Sequence, residues 1–254
     1  MKKFRQQRRP KKNTLLVGPL SILEAMKSGQ QIDRIYIATK KQDETFAMMK
    51  TLAAEQGVPI NFVPPAKLNF FNVTNHGGYV AQLAKVKYLQ LQDVISHTVE
   101  KGETPFLLLL DGITDIRNIG GIARTAFCMG VQAIVIPEKG VGALHEDAIL
   151  TSAGALEKIA VCRVKTLTEA VDLLHLNGIT VLASEMKAAT KIDEVDFTLP
   201  SAIVMGGEEK GIHESLLNIC DAKIKIPMPG DFESLNVSVA TGIILYEAMK
   251  QRLK

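Results

Sequence analysis

The apolar positions of this chain change rhythm near residue 105. Before that point short mixed runs dominate. LLVGPLSILEAMKSG, from Leu15, reads as a turn and helix, and DRIYIAT, from Asp33, as a strand. DETFAMMKTLAAEQG predicts a helix with Asp43 near its start and Gly57 as its stop, and VPINFVP and YVAQLA predict further short strands. Residues 85–104 read as a connecting helix and linker. Beyond them come six strand-like runs: FLLLL (106–110), QAIVI (132–136), IAVCR (159–163), ITVLA (179–183), AIVMG (202–206) and AKIKI (222–226). Amphipathic stretches such as IGGIARTAFCMG and TLTEAVDLLHLNG separate them. Near-continuous apolar strands alternating with helices predict a parallel sheet covered on both faces. The expected organisation is a tail over 1–13, a small α/β domain over 14–88, a linker over 89–104 and a parallel-sheet α/β domain over 105–254.

Three loops at the carboxyl ends of these strands carry clustered polar residues, and in open α/β sheets that is where ligands bind. In DGITDIRNIGGIARTA, Asp111 ends a strand, Asn118 sits at a helix start, Gly120 and Gly121 allow close approach, and Arg124 projects from the second turn. In VMGGEEKGI, Gly206 and Gly207 end a strand and Glu208 follows in a tight turn closed by Gly211. In KIKIPMPGDFESLN the run Lys223 to Ile226 stops at Pro227 and Pro229, turns through Gly230, and delivers Ser234 and Asn236 to a long apolar helix. Taken singly, Ser234 or Asn118 reads as a helix cap, Glu208 as a helix-start acid and Arg124 as a solvated surface residue.

Composition narrows the chemistry. The 254 residues are 46% apolar and 22% charged, ordinary for a globular chain large enough to bury a core. No apolar run approaches membrane-spanning length, and the N-terminus lacks the apolar stretch of a secretory signal, so a reduced, cytoplasmic setting is expected, with no membrane partner. Three cysteines without paired spacing and five histidines without a ligand pattern predict no structural disulfide and no metal. The net charge of +3 conceals an asymmetry: residues 1–12 hold seven Lys or Arg and no acid, leaving 23 basic against 27 acidic residues elsewhere, or −4. Such an arm commonly engages nucleic acid. No P-loop occurs. The near miss GVGALH, Gly140 to His145, lacks the third glycine and the downstream acid of a dinucleotide site, so it reads as a turn and helix start.

The order of the three loops adds what none carries alone. Asn118 with Arg124 in N-x-G-x-x-x-R-T-A, Gly206-x-Glu208 with Gly211, and IPM-x-G-x-x-x-SLNVSVA resemble the three motifs of the SpoU family of RNA ribose 2'-O-methyltransferases, in the SPOUT superfamily. The likeness covers residues 105–252. VGPLSILEAMKSG and NHGGYVAQLA also resemble that family's L30e-like N-terminal substrate domain. Two positions depart from the family pattern: Glu209 stands where Gly is usual, and Gly77 where Gln is usual.

The resemblance implies a parallel sheet closed by a trefoil knot, and S-adenosylmethionine held by backbone groups near Gly206, Ile226 and Leu235, with Met205, Met228 and Gly211 beside them. It implies Arg124, Asn118, Ser234, Asn236 and Glu208 as the catalytic set. The implied acceptor is a ribose in structured RNA, a guanosine of 23S rRNA in RlmB-type relatives. A tRNA ribose methyltransferase and an inactive RNA-binding paralogue stay open as alternatives. A homodimer is expected through the final helix, where Leu235, Val237, Val239, Ile243, Ile244, Leu245, Tyr246 and Met249 surround most of the circumference.

Overall fold

The computed structural model describes residues 15–39, 43–141, 144, 146–230 and 234–253. The basic tail, with its expected RNA contact, lies outside these residues, as do Gly142, Ala143 and His145 of GVGALH. The chain divides into two compact units between Lys85 and Val86.

In the first unit, β1 (Leu15–Val17), α1 (Pro19–Lys27), β2 (Ile32–Ala38), α2 (Glu44–Glu55), β3 (Ile60–Val63), α3 (Pro65–Leu68) and β4 (Tyr79–Leu83) form a four-stranded sheet of order β1-β4-β2-β3. Asp43 caps α2 by accepting the Phe46 N–H at 2.8 Å, and it also accepts the Tyr79 hydroxyl at 2.7 Å. One face of the sheet packs Ile35, Ile37 and Ala81 against Ile22, Met26 and Met49 of the two longer helices. The other packs Ala38 and Val80 against Leu68 and Phe71. Gly77 and Gly78, at φ 56 and 92, sit inside a turn closed by Tyr79 N–H to His76 C=O at 2.8 Å. Two successive left-handed residues define a type I′ turn, which glycine suits better than glutamine. The Gly77 departure is therefore satisfied locally.

The second unit comprises β5 (Tyr88–Leu89), α4 (Leu91–Glu100), β6 (Phe106–Asp111), α5 (Ile116–Cys128), β7 (Ala133–Pro137), α6 (Glu146–Thr151), β8 (Ala160–Val164), α7 (Leu167–Leu176), β9 (Thr180–Ser184), β10 (Thr190–Lys191), β11 (Ser201–Gly206), α8 (Glu214–Leu217), β12 (Ala222–Lys225) and α9 (Val237–Arg252). Its eight strands are all parallel, in the order β10-β12-β9-β11-β6-β7-β8-β5. Period-two alternation splits each strand between two cores. Phe106, Leu108 and Leu110 face one core with α5 and α9, while Leu107 and Leu109 face the other with α4 and α7. The stretch 89–104, expected as a linker, belongs to this unit. Its Leu91, Val94, Ile95 and Thr98 fall on one helical face and are buried, and Tyr88 pairs with Val161 at the sheet edge.

Helix α9 is pinned at its far end by Arg252. The guanidinium donates to the carbonyls of Thr104 at 2.9 Å, Pro105 at 3.2 Å and Leu199 at 2.8 Å, and stacks on the Phe106 ring at 4.4 Å. Its burial pulls the Arg252 pKa below its ordinary value, and the three carbonyls offset that desolvation. With one end anchored beneath the sheet, the N-terminus of α9 is held at the carboxyl ends of the strands. No helix of the described residues is long and apolar enough to cross a membrane.

Candidate active site

Strands β6 and β11 lie side by side at the centre of the sheet, with Asp111 opposite Gly206 in register. From β6 the chain runs outward through β7 and β8, then crosses back to β9, so the chain reverses direction around β6 and β11. Ligands gather at such switch points, in the crevice outside the strand ends.

Backbone demands shape the two loops there. A Cβ on Gly206 would lie 2.2 Å from the Gly211 carbonyl carbon, and one on Gly207 would lie 2.5 Å from the Gly112 oxygen. Neither position admits a side chain. Gly211 N–H donates to Gly207 C=O at 2.9 Å and takes φ 64, closing the turn that presents Glu208. Glu209 has no left-handed backbone, so the usual glycine at its position is not required by this turn. The Asp111 carboxylate, at the end of β6, accepts the His213 N–H at 2.7 Å and ties the two loops together.

Helix α5 starts earlier than the sequence suggests. Asp115 caps it by accepting the Arg117 N–H at 2.9 Å and pairs with the Arg117 guanidinium at 3.0 Å. Asn118 is thus a first-turn residue rather than the cap, its side chain not spent on capping α5, and Arg124 stands on the third turn, not the second. Two adjacent glycines let α5 approach neighbours on both sides. A Cβ on Gly120 would lie 2.6 Å from Thr151 Cβ, whereas one on Gly121 would rest 3.5 Å from Ser238 Cβ of α9.

The three loops converge on one carboxylate. Asn118 Nδ2 donates to Glu208 Oε1 at 2.6 Å, and Asn236 Nδ2 donates to the same oxygen at 2.9 Å and to Asn118 Oδ1 at 3.2 Å. Asn236 is also the N-cap of α9, its Oδ1 accepting the Ser238 N–H at 2.9 Å and the Ser238 hydroxyl at 2.6 Å. Each amide thus has its oxygen and nitrogen assigned by its partners. Ser234 lies exposed two residues before the cap and makes no hydrogen bond among the described residues. Arg124 is likewise exposed, without a hydrogen bond or ion pair among the described residues.

Beyond β12 lies an open groove of about 470 Å³, lined by Met186 and by Lys225 through Gly230. It includes the Ile226 and Met228 anticipated from sequence; Met186, from the loop after β9, was not anticipated. Its volume suits a nucleoside-sized ligand. Met205 is 2% exposed, its side chain absorbed in the core, while Leu235 is half-buried before α9. Sequence reasoning also missed Ser238, although it stands inside the SLNVSVA segment, because a serine in the first turn of a helix carries no signal by itself.

Both units match known protein families. Residues 105–246 match the SpoU rRNA methylase family, and residues 15–89 match the RNA 2'-O ribose methyltransferase substrate-binding family. YacO of Bacillus subtilis, whose name places it among TrmH family tRNA/rRNA methyltransferases, is 35% identical over 237 residues, covering 93% of this chain and 95% of its own. The SpoU methyltransferase AviRb of Streptomyces viridochromogenes, crystallised with AdoMet, superposes with a TM-score of 0.60 at 22% identity, covering 94% of this chain and 90% of that one. The TrmH/SpoU tRNA modifying enzyme of A. aeolicus gives a TM-score of 0.53 at 30% identity, over 64% of this chain and 84% of that one.

Proposed function

The chain belongs to the SpoU rRNA methylase family, and from that premise we propose that it transfers a methyl group from S-adenosylmethionine to a ribose 2'-hydroxyl of RNA. The observation that carries this reading is the convergence of Asn118 and Asn236 on the Glu208 carboxylate at the strand ends. The groove beside Ile226 to Gly230 fits the cofactor in size, and its proline- and glycine-rich lining leaves main-chain groups to hold it. S-adenosylmethionine supplies an electrophilic methyl group on a sulfonium sulfur.

A ribose hydroxyl is a poor nucleophile until its proton leaves or its growing negative charge is balanced. Arg124 is exposed and makes no hydrogen bond or ion pair among the described residues, so its charge is available to RNA. A guanidinium keeps its proton in proteins, which excludes Arg124 as the base. It acts as an electrostatic stabiliser of the attacking oxygen or as an anchor for the adjacent phosphate, and the proton passes to an RNA phosphate or water. Asn118 and Asn236 hold Glu208 and thereby the shape of the loop around the acceptor. Ser234, exposed beside them, contacts the ribose.

The first unit binds the RNA, in keeping with its match to a substrate-binding family. The acceptor in this reading is a guanosine of large-subunit rRNA, in keeping with the rRNA methylase family that the second unit matches. We assign to the segment after β11 the family's knotted threading; the insertion of β12 between the earlier strands β9 and β10 supports it. The active form is a homodimer through α9. Tritium transfer from labelled S-adenosylmethionine to total RNA tests the activity, and mapping 2'-O-methyl sites in a strain lacking the protein tests the acceptor. Transfer to tRNA alone would replace the ribosomal assignment, and no transfer to either would leave an RNA-binding protein without this chemistry.

A further inference from the structure

Asn236 has two tasks that pull on different atoms of one side chain. Its Oδ1 caps α9, and its Nδ2 spans Glu208 Oε1 and Asn118 Oδ1. The terminal torsion of an asparagine is broad, so a single hydrogen bond to Oδ1 leaves the amide plane free to swing. The backbone N–H of Ser238 supplies the cap, at 2.9 Å. The Ser238 hydroxyl supplies a second donor to the same oxygen, at 2.6 Å. Two donors on Oδ1 restrict the amide more than one does and keep Nδ2 on the Glu208 cluster.

The hydroxyl is superfluous to the helix. Removing it leaves the cap N–H in place and the half-buried Ser238 Cβ still packed toward Gly121. We propose that Ser238 is a positioning residue for methyl transfer: its hydroxyl holds the Asn236 amide in the rotamer that keeps Asn118 and Glu208 joined. This inference rests on the proposed role of that cluster in the reaction.

The test uses the purified full chain, labelled S-adenosylmethionine and total RNA from a strain lacking the protein. Ser238→Ala should lower kcat about three- to tenfold, the worth of one hydrogen bond. KM for RNA, the Kd for S-adenosylhomocysteine by calorimetry and the melting temperature should stay nearly unchanged. Ser238→Thr, which keeps the hydroxyl, should restore kcat. In an Asn236→Ala background, Ser238→Ala should have no further effect, because its only target is gone. Should the alanine variant not fold, Ser238→Cys, of similar size and a weak donor, replaces it. Wild-type kcat in Ser238→Ala, no rescue by threonine, or an equal loss in the Asn236→Ala background would overturn the proposal. Full activity of Asn236→Ala itself would instead overturn the role of the cluster, which separates the two failures.

Discussion

Asn118 and Glu208 lie ninety positions apart in sequence, yet meet at 2.6 Å through one amide proton. The contact exists because β6 and β11 are neighbours in the sheet, so the helix that follows one and the turn that follows the other open on the same crevice. Glu208 Oε1 also accepts from Asn236, so two donors share one oxygen.

That arrangement separates two substitutions at Glu208. Glu208→Gln keeps an oxygen able to accept both amides, so it should retain a substantial fraction of kcat. Glu208→Ala removes the acceptor that both amides share and leaves Asn236 Nδ2 only its longer bond to Asn118 Oδ1, so kcat should fall by at least about tenfold, the equivalent of about 1.4 kcal/mol. Single-turnover methyl transfer distinguishes them. Equal rates for the two variants would show that the carboxylate contributes its charge rather than its hydrogen bonds.

Arg124→Ala should abolish methyl transfer while leaving the fold intact, since the side chain is exposed and makes no bond among the described residues. Surface substitutions of that kind change stability by about 0.5 kcal/mol or less. Retention of more than about a tenth of wild-type kcat would remove Arg124 from the centre of the mechanism.

Gly206 offers a stability test of the loop after β11. Its added Cβ would meet the Gly211 carbonyl carbon at 2.2 Å, a backbone atom that cannot rotate aside. Gly206→Ala should cost about 1–3 kcal/mol, or several degrees of melting temperature, and should abolish the thermal shift produced by S-adenosylmethionine. In the wild-type protein that shift should correspond to about 2.7 kcal/mol at one hundred times Kd, and NAD should give none. By contrast Gly121→Ala meets only ordinary contact at 3.5 Å and should fold normally.

Much of this was legible in the chain. All six apolar runs after residue 105 became strands, because a strand buried on both faces must be apolar throughout. The two-residue strands β5 and β10 were not legible, since they are held by pairing with β8 and β12 rather than by any pattern of their own. The loops could be placed at strand ends, yet nothing in their composition showed that Asn236 rather than Ser234 would cap α9. Either residue type serves as a cap, and the outcome depends on where the helix backbone begins. Arg124 shifted by a turn for the same reason: Asp115, a better-placed cap than Asn118, starts α5 at Ile116.

The last expectation concerns α9. Val237, Ile244, Leu245 and Ala248 are buried in the unit's own core, which accounts for one face of the helix. Val239, Ile243 and Tyr246 remain 50%, 37% and 54% exposed. Spaced at i, i+4 and i+7, they form a stripe on a second face. An apolar stripe on an otherwise well-packed helix marks a contact surface, and we assign it to a second copy of this chain. Light scattering across a dilution series should give twice the 27.7 kDa chain mass at micromolar concentration. Ile243→Lys with Tyr246→Lys should shift the protein to monomer without unfolding it, because both side chains already face solvent within one chain. A wild-type monomer with full activity at that concentration would refute the dimer and leave the stripe without a role in assembly.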